Sequence, residues 1–143
     1  MKHKILIVDD EENILLVVKA AFVSNYNVFT ATEGETALEI IRREKPSFVF
    51  LDIKMPGMSG IKVLEKIKET GAKPVVWMLT GDEDMEMALA TLEGGASGYI
   101  TKPFEVERLR AVVLNALEDL EKGEKGRSEN DKPWHVEKKS GEE

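Results

Sequence analysis

Residues 48–60 read FVFLDIKMPGMSG, and this stretch decides the fold. Four apolar residues are followed directly by Asp52, and then by a loop that contains Pro56 and Gly57. A helical pattern begins near Gly60. A short apolar run without alternation, bounded by turn residues, is typical of a strand that is buried on both faces. The stretch therefore predicts a central β-strand with one acid at its carboxyl end.

Five short apolar segments alternate with helical patterns along the chain. The candidate strands are KILIVD (4–9), NVFTA (27–31), FVFLD (48–52), VVWMLT (75–80) and GYIT (98–101). Three of them lack polar–apolar alternation, which indicates a parallel sheet that is covered by helices on both faces. Strand–helix alternation with short, right-handed connections predicts a doubly wound (βα)5 domain of the α/β class.

The segments between the strands have the 3.6-residue periodicity of amphipathic helices. We expect buried stripes made of Ile14, Val17, Val18, Ala21 and Phe22 in the first helix, of Met85, Ala88, Leu89 and Leu92 in the fourth, and of Leu109, Val112, Val113, Ala116, Leu117 and Leu120 in the fifth. The patterns near residues 34–44 and 60–70 are weaker. Trp77 is expected to pack in the core.

Composition limits the possible functions of this chain of 143 residues. The net charge of -7 argues against a broad nucleic-acid-binding surface, which would need clustered basic residues. The absence of cysteine excludes disulfides, a thiolate nucleophile and cysteine-based zinc sites. The first apolar run is too short for a signal peptide, and no stretch is long enough for a membrane span. We therefore expect a cytoplasmic domain without nucleic-acid or membrane partners.

The composition changes after Lys122. We expect one domain over residues 1–122, followed by a polar tail or linker over residues 123–143 that mixes charges with Gly and Pro. A second interpretation of the tail is a docking element that uses Pro133 and Trp134 as its anchor.

Acidic, hydroxyl and basic side chains end four of the five candidate strands. They are Asp9 and Asp10 after the first strand, Asp52 after the third, Thr80 after the fourth and Lys102 after the fifth. Ligands of open parallel sheets bind at the carboxyl ends of the strands, where the strand order reverses. Three neighbouring carboxylates repel one another and favour a hard divalent cation, which we expect to be Mg²⁺, with Mn²⁺ as the alternative. The sequence therefore predicts a metal site with a lysine and a hydroxyl beside it.

Each of these residues also has a simpler interpretation. Asp9 and Asp10 suit the positive end of the first helix and could serve as capping residues only. Asp52, Thr80 and Lys102 could be an ordinary strand end, a turn hydroxyl and a surface lysine. Their joint placement on neighbouring strand ends favours a shared site. A carboxylate beside a cation, a lysine and a hydroxyl is suited to accept a phosphoryl group. No GxxxxGK[ST] loop is present, so a nucleotide is not the obvious donor.

Four segments in this order, ILIVDDE, FVFLDIKMPGMSG, MLTG and YITKPF, resemble the receiver domain of bacterial two-component response regulators. The resemblance extends over roughly residues 4–121. It implies a flavodoxin-like fold whose parallel strands have the order 2-1-3-4-5. It also implies a cis peptide bond between Lys102 and Pro103, since cis bonds are common only before proline.

The resemblance further implies a role for each residue at the predicted site. Asp52 is the expected phosphoacceptor, with Thr80 and Lys102 as phosphoryl contacts. The expected metal ligands are Asp9, Asp10, Asp52 and the main-chain carbonyl of Lys54, with Asp9 acting through water or by orienting the site. Phosphorylation would draw Thr80 inward and turn Tyr99, which would change the surface of helix four, strand five and helix five. Tyr99 could instead be a half-buried ring without a switch role.

Lys54 and Asp82 lie two residues after the phosphoacceptor and the switch threonine. In the family these positions vary and tune the lifetime of the aspartyl phosphate. We hypothesise that Lys54 and Asp82 pair across the mouth of the site and hinder the attacking water. Two independent solvated charges are the alternative, because exposed pairs contribute at most about 1 kcal/mol.

The predicted function is that of a phosphoacceptor module which receives its phosphoryl group from a sensor histidine kinase or a phosphotransfer protein. It would catalyse only its own phosphorylation and dephosphorylation, and it would act on an unknown output domain or effector. A homodimer through the helix four–strand five–helix five face is one form in which it could act. A related phosphohydrolase is the second hypothesis, although such enzymes usually have an acid where this chain has Lys54. A scaffold that is never phosphorylated is the third, and the complete set of acids argues against it.

Overall fold

The computed structural model of the chain describes residues 2–123. The strands are β1 (Lys4–Val8), β2 (Asn27–Ala31), β3 (Phe48–Asp52), β4 (Val75–Thr80) and β5 (Gly98–Thr101). The helices are α1 (Glu12–Phe22), α2 (Gly34–Glu44), α3 (Gly60–Glu69), α4 (Met85–Glu93) and α5 (Val106–Gly123), and a single 3₁₀ turn spans Asp82–Asp84. The predicted tail or linker, apart from Gly123, lies outside the described residues, and so does the proposed anchor at Pro133 and Trp134.

The strands form one parallel sheet in the order β2-β1-β3-β4-β5, as the resemblance implied. Strand β3 is the central strand and pairs with β1 on one side and with β4 on the other. All five of its residues are buried, which agrees with the continuous apolar run in the sequence. The doubly wound fold is confirmed, and its central strand ends in Asp52.

The two faces of the sheet carry separate hydrophobic clusters. Phe48 and Phe50 of β3 pack with buried residues of α1 and α5. Val49 and Leu51 face the other way and pack with buried residues of α2 and α3. Successive side chains of a strand point to opposite faces, so a strand covered on both sides needs apolar residues at every position. Trp77 belongs to the cluster under α1 and α5, as expected for a core residue.

The predicted helix stripes are largely correct, with two exceptions. In α5, five of the six predicted residues are buried, and Leu120 is partly buried. Val17 of α1, however, is 55% exposed, because it lies about 200° around the helix from the buried Leu15. Leu89 of α4 is 51% exposed, and Thr91 is buried in its place. The Thr91 hydroxyl donates a hydrogen bond to the Ala88 carbonyl, which satisfies the polar group in the core.

In residues 2–123, none of the helices combines the length and apolar character needed to cross a bilayer.

Candidate functional site

The predicted site residues meet at the carboxyl edge of the sheet. Asp9 and Asp10 directly follow β1, and Asp52 is the last residue of β3. One carboxylate oxygen from each of these three acids lies within 4.8 Å of the others. Lys102 follows β5 and places its Nζ atom 2.9 Å from Asp9 Oδ2 and 3.4 Å from Asp52 Oδ2. The parallel sheet therefore brings together an acidic cluster and one ammonium group.

The three acids of this cluster differ in their surroundings. Asp9 is fully buried and Asp52 is 5% exposed, whereas Asp10 is exposed. Asp9 Oδ1 also accepts a hydrogen bond from the backbone N–H of Glu11, the residue that precedes α1, at 2.9 Å. Asp9 thus stabilises the turn into α1 with one oxygen and contacts Lys102 with the other. The N-cap residue of α1 is Glu11, which makes no side-chain capping hydrogen bond, so Asp9 supports the turn before the helix and does not cap the helix itself.

Crowding of negative charge changes the ionisation of Asp52. Burial of its carboxyl group, followed by repulsion from Asp9, raises the pKa of Asp52 from 3.8 to about 7, although the positive charge of Lys102 acts in the opposite direction. Burial alone would lower the pKa of Lys102, but the hydrogen bond to Asp9 and the charge of Asp52 outweigh burial and raise this pKa. The positive charge of Lys102 therefore does not fully offset the effects of burial and of the neighbouring acids on the pKa of Asp52.

The acidic cluster fits a divalent metal ion. Its donors are carboxylate oxygens, which are the ligands that Mg²⁺ and Mn²⁺ prefer. The pKa of Asp52 is raised mainly by burial and next by the charge of Asp9, and a bound cation would oppose both effects. Asp9, Asp10 and Asp52 are the residues that would hold such an ion, and the exposed Asp10 leaves the cluster accessible from solvent.

The end of β3 is fixed by close backbone packing. Ile53 donates its N–H to the Leu79 carbonyl at 3.0 Å, and Gly60 donates its N–H to the Ile53 carbonyl at 2.8 Å. A Cβ atom on Gly60 would lie 2.1 Å from the carbonyl oxygen of Asp52. Only glycine therefore fits at the start of α3, and the loop over residues 53–59 is held against the strand end that carries Asp52.

The predicted switch residues lie on the neighbouring strands β4 and β5. Thr80 is fully buried at the end of β4, and its hydroxyl donates a hydrogen bond to the Gly81 carbonyl at 3.1 Å. Tyr99 of β5 is partly buried and packs against the cluster under α2 and α3. The Lys102–Pro103 peptide bond that follows is cis, as expected.

Lys54 has an ion-pair partner that the hypothesis did not name. Lys54 Nζ lies 3.3 Å from Oδ1 of Asp84, and the Asp84 side chain is 7% exposed, whereas that of Lys54 is 63% exposed. The side chain of Asp82, the hypothesised partner, lies outside the described part of the chain. The sequence does not predict Asp84 as a partner of Lys54, because spacing along the sequence does not reveal which acid of the 3₁₀ turn over Asp82–Asp84 is directed toward the site.

Comparison with known proteins agrees with this geometry. Residues 5–114 match the family model of the response regulator receiver domain. The chain belongs to this family. Sporulation initiation phosphotransferase F of Bacillus subtilis is 36% identical to this receiver domain over 118 residues, which cover 82% of this chain and 95% of that protein. The solved CheY-like receiver domain protein of Methanospirillum hungatei is 32% identical, with a TM-score of 0.80 and coverage of 85% of this chain and 98% of that one.

Longer proteins also contain a similar domain. The probable transcriptional regulator ycf27 of Porphyridium aerugineum is 36% identical over 122 residues, which are 85% of this chain and 50% of that regulator. The receiver domain described above thus spans about half the length of that relative. Receiver domains are phosphoacceptor modules of two-component signalling rather than turnover enzymes, and they interact with histidine kinases or phosphotransfer proteins.

Proposed function

We propose that Asp52 is the phosphoacceptor of this receiver domain. The observation that supports this assignment is the position of its carboxylate, which lies at the end of the central strand between two other acids and 3.4 Å from the Lys102 ammonium. Asp9 is too deeply buried and is occupied by the Glu11 N–H and by Lys102. Asp10 is exposed and lies in the turn between β1 and α1, outside the strand ladders. The carboxylate of Asp52 can be reached from the edge of the sheet, and its backbone is held by pairing with β4.

The proposed reaction is transfer of a phosphoryl group from a phosphohistidine of a sensor kinase or phosphotransfer protein. A carboxylate oxygen of Asp52 forms a bond to phosphorus while the P–N bond of the donor breaks, and the imidazole leaves with the electron pair of that bond. Lys102 stabilises the negative charge on the transferring oxygens, and Thr80 donates a hydrogen bond to one of them after its hydroxyl leaves the Gly81 carbonyl. Hydrolysis of the aspartyl phosphate by water restores the resting carboxylate.

A divalent metal is the proposed cofactor. Asp9, Asp10, Asp52 and the main-chain carbonyl of Lys54 are its proposed ligands, with Asp9 ligating directly or through water. When bound, Mg²⁺ or Mn²⁺ would supply the positive charge that keeps Asp52 ionised and that neutralises the phosphoryl oxygens. The raised pKa of Asp52 supports this requirement for charge.

The proposed output is a changed surface over α4, β5 and α5. Thr80 moves toward the phosphoryl group, and Tyr99 turns into the space that it leaves. We expect this surface to contact an output domain, an effector or a second copy of the chain, within the cytoplasm. Lys54 is proposed to tune the lifetime of the aspartyl phosphate.

The test is phosphorylation by acetyl phosphate with Mg²⁺, followed by intact-mass measurement. We expect one phosphoryl group per chain in the wild type and none in Asp52→Asn. Glu33→Gln is the matched control, because Glu33 also follows a strand at the carboxyl edge but is exposed and lies after the edge strand β2. An adduct that persists in Asp52→Asn would refute the assignment, and rapid multiple turnover of simple phosphate esters would favour a phosphohydrolase instead.

A further inference from the structure

The contact between Lys54 and Asp84 joins the loop that follows the phosphoacceptor strand to the turn that follows the neighbouring strand β4. Lys54 lies in the loop between β3 and α3, and Asp84 lies in the 3₁₀ turn between β4 and α4. The Nζ–Oδ1 distance is 3.3 Å. Thr80 ends β4 four residues before Asp84. The ion pair therefore restrains the short segment between them, which has to move together with Thr80 in the proposed switch.

Asp84 also occupies the N-cap position of α4, immediately before Met85. Aspartate is among the strongest N-cap residues, because its carboxylate accepts hydrogen bonds from free N–H groups in the first helical turn and favours the positive helix end. In this structure the Asp84 side chain makes no capping hydrogen bond. Its backbone angles, φ -108° and ψ 20°, are not extended, because Asp84 is also the last residue of the 3₁₀ turn that leads into α4 and donates its N–H to the Gly81 carbonyl at 3.0 Å.

The other helix on the same face that begins beside the site behaves differently. Ser59 occupies the N-cap position of α3 with extended angles, φ -73° and ψ 165°, and its hydroxyl accepts a hydrogen bond from the Lys62 N–H at 3.3 Å. A conventional cap is therefore formed at α3 but not at α4, although α4 has the stronger capping residue. The difference coincides with the ion pair between Asp84 and Lys54.

We propose that Asp84 is a positioning residue with two alternative partners, the Lys54 ammonium in the resting state and the first-turn N–H groups of α4 in the activated state. This inference rests on the proposed function of the domain and extends it to a residue outside the phosphoryl site. Movement of Thr80 toward a phosphorylated Asp52 shifts the β4–α4 turn and breaks the contact between Asp84 and Lys54. The released carboxylate then caps α4, so that the start of α4 becomes ordered as the ion pair is lost.

Three variants separate the two partners of Asp84. Asp84→Asn removes the ion pair but keeps an effective N-cap residue. Lys54→Met removes the ion pair and leaves the Asp84 carboxylate available for the cap. Asp84→Ala removes both contacts. Lys62→Met is the matched control, because Lys62 is a similarly exposed lysine that pairs with Glu65 on α3 and does not reach α4.

The experiment measures amide hydrogen exchange at Glu86 and Met87, the second and third residues of α4, in each unphosphorylated chain of 143 residues. Both Asp84→Asn and Lys54→Met should slow exchange about fivefold relative to the wild type, the typical effect of one side-chain cap. Asp84→Ala should not slow it, and Lys62→Met should match the wild type. The proposal is overturned if Asp84→Asn exchanges as fast as Asp84→Ala, or if Lys54→Met exchanges as fast as the wild type.

A second measurement separates this inference from the phosphoacceptor assignment. Intact mass after treatment with acetyl phosphate and Mg²⁺ reports whether Asp52 is modified, whatever α4 does. Equal modification of all variants, with no difference in exchange at α4, would reject the role of Asp84 and leave Asp52 as the phosphoacceptor. Slowed exchange in Asp84→Asn and Lys54→Met, but without any adduct on Asp52, would reject the phosphoacceptor assignment while the alternative contacts of Asp84 stand.

Discussion

Neutralising Asp52, the proposed phosphoacceptor, should stabilise the metal-free protein. In the fold, burial and the charge of Asp9 raise the pKa of Asp52 from 3.8 to about 7. Because the folded state binds this proton more tightly than the unfolded state, the favourable contribution is complete below about pH 4 and is lost as the pH rises through about 7. A pKa difference of this size corresponds to roughly 4 kcal/mol. Solvent at the sheet edge screens the charge, so we expect about 2 kcal/mol.

The assay is urea unfolding of the wild type and of Asp52→Asn in EDTA at several values between pH 5 and pH 8. The free energy of unfolding of Asp52→Asn should exceed that of the wild type by an amount that grows by roughly 1–2 kcal/mol over this range. Glu39→Gln, which neutralises an exposed acid on α2, should show a difference that is independent of pH. Added Mg²⁺ should stabilise the wild type more than Asp52→Asn. A difference for Asp52→Asn that stays constant from pH 5 to pH 8 would refute the reasoning.

Three further predictions concern other parts of the site and its support. Gly60→Ala should lower the free energy of unfolding by about 2–4 kcal/mol and slow phosphorylation, because the added Cβ would overlap the Asp52 carbonyl. Equal urea midpoints for the variant and the wild type would contradict this prediction. Lys102→Gln should bind Mg²⁺ about fivefold more tightly, because an ammonium 2.9 Å from Asp9 is lost, and it should accept the phosphoryl group more slowly. Calorimetry measures the binding and intact-mass time courses measure the phosphorylation, and weaker Mg²⁺ binding would argue against the ligand assignment. Phe50→Ala should cost about 3–5 kcal/mol in urea unfolding, because Phe50 is fully buried under α1 and α5, and a loss below 1 kcal/mol would contradict that packing.

The elements that bury continuous apolar runs could be predicted well from the sequence. Strand β3 has the predicted bounds, since FVFLD contains no polar residue before Asp52 and no position that suits the surface. The convergence of Asp9, Asp10, Asp52 and Lys102 also follows from the sequence, because parallel strands place their carboxyl ends at one edge.

Local geometry of turns and helix ends could not be predicted in this way. The choice of Asp84 as the partner of Lys54 depends on a single 3₁₀ turn, which the pattern of apolar residues does not specify. The exposure of Val17 and Leu89 depends on the rotation of short helices, where a threonine with an internal hydrogen bond can replace an apolar residue in the core. Burial of Asp9 is a result of the turn into α1, which provides its hydrogen-bond donor.

The central position of β3 has a consequence for how the domain can evolve. Hydrogen bonds to β1 and to β4 hold the strand on both sides, so Asp52 cannot shift without breaking two ladders. The residues proposed to move, Thr80 and Tyr99, both lie on the β4–β5 side of that strand, whereas β1 and β2 lie on the other. Substitutions on the β1–β2 side can therefore accumulate without touching the two strands that carry the residues proposed to move. Asp52 stays at the boundary between the two sides, held by the ladders of its own strand.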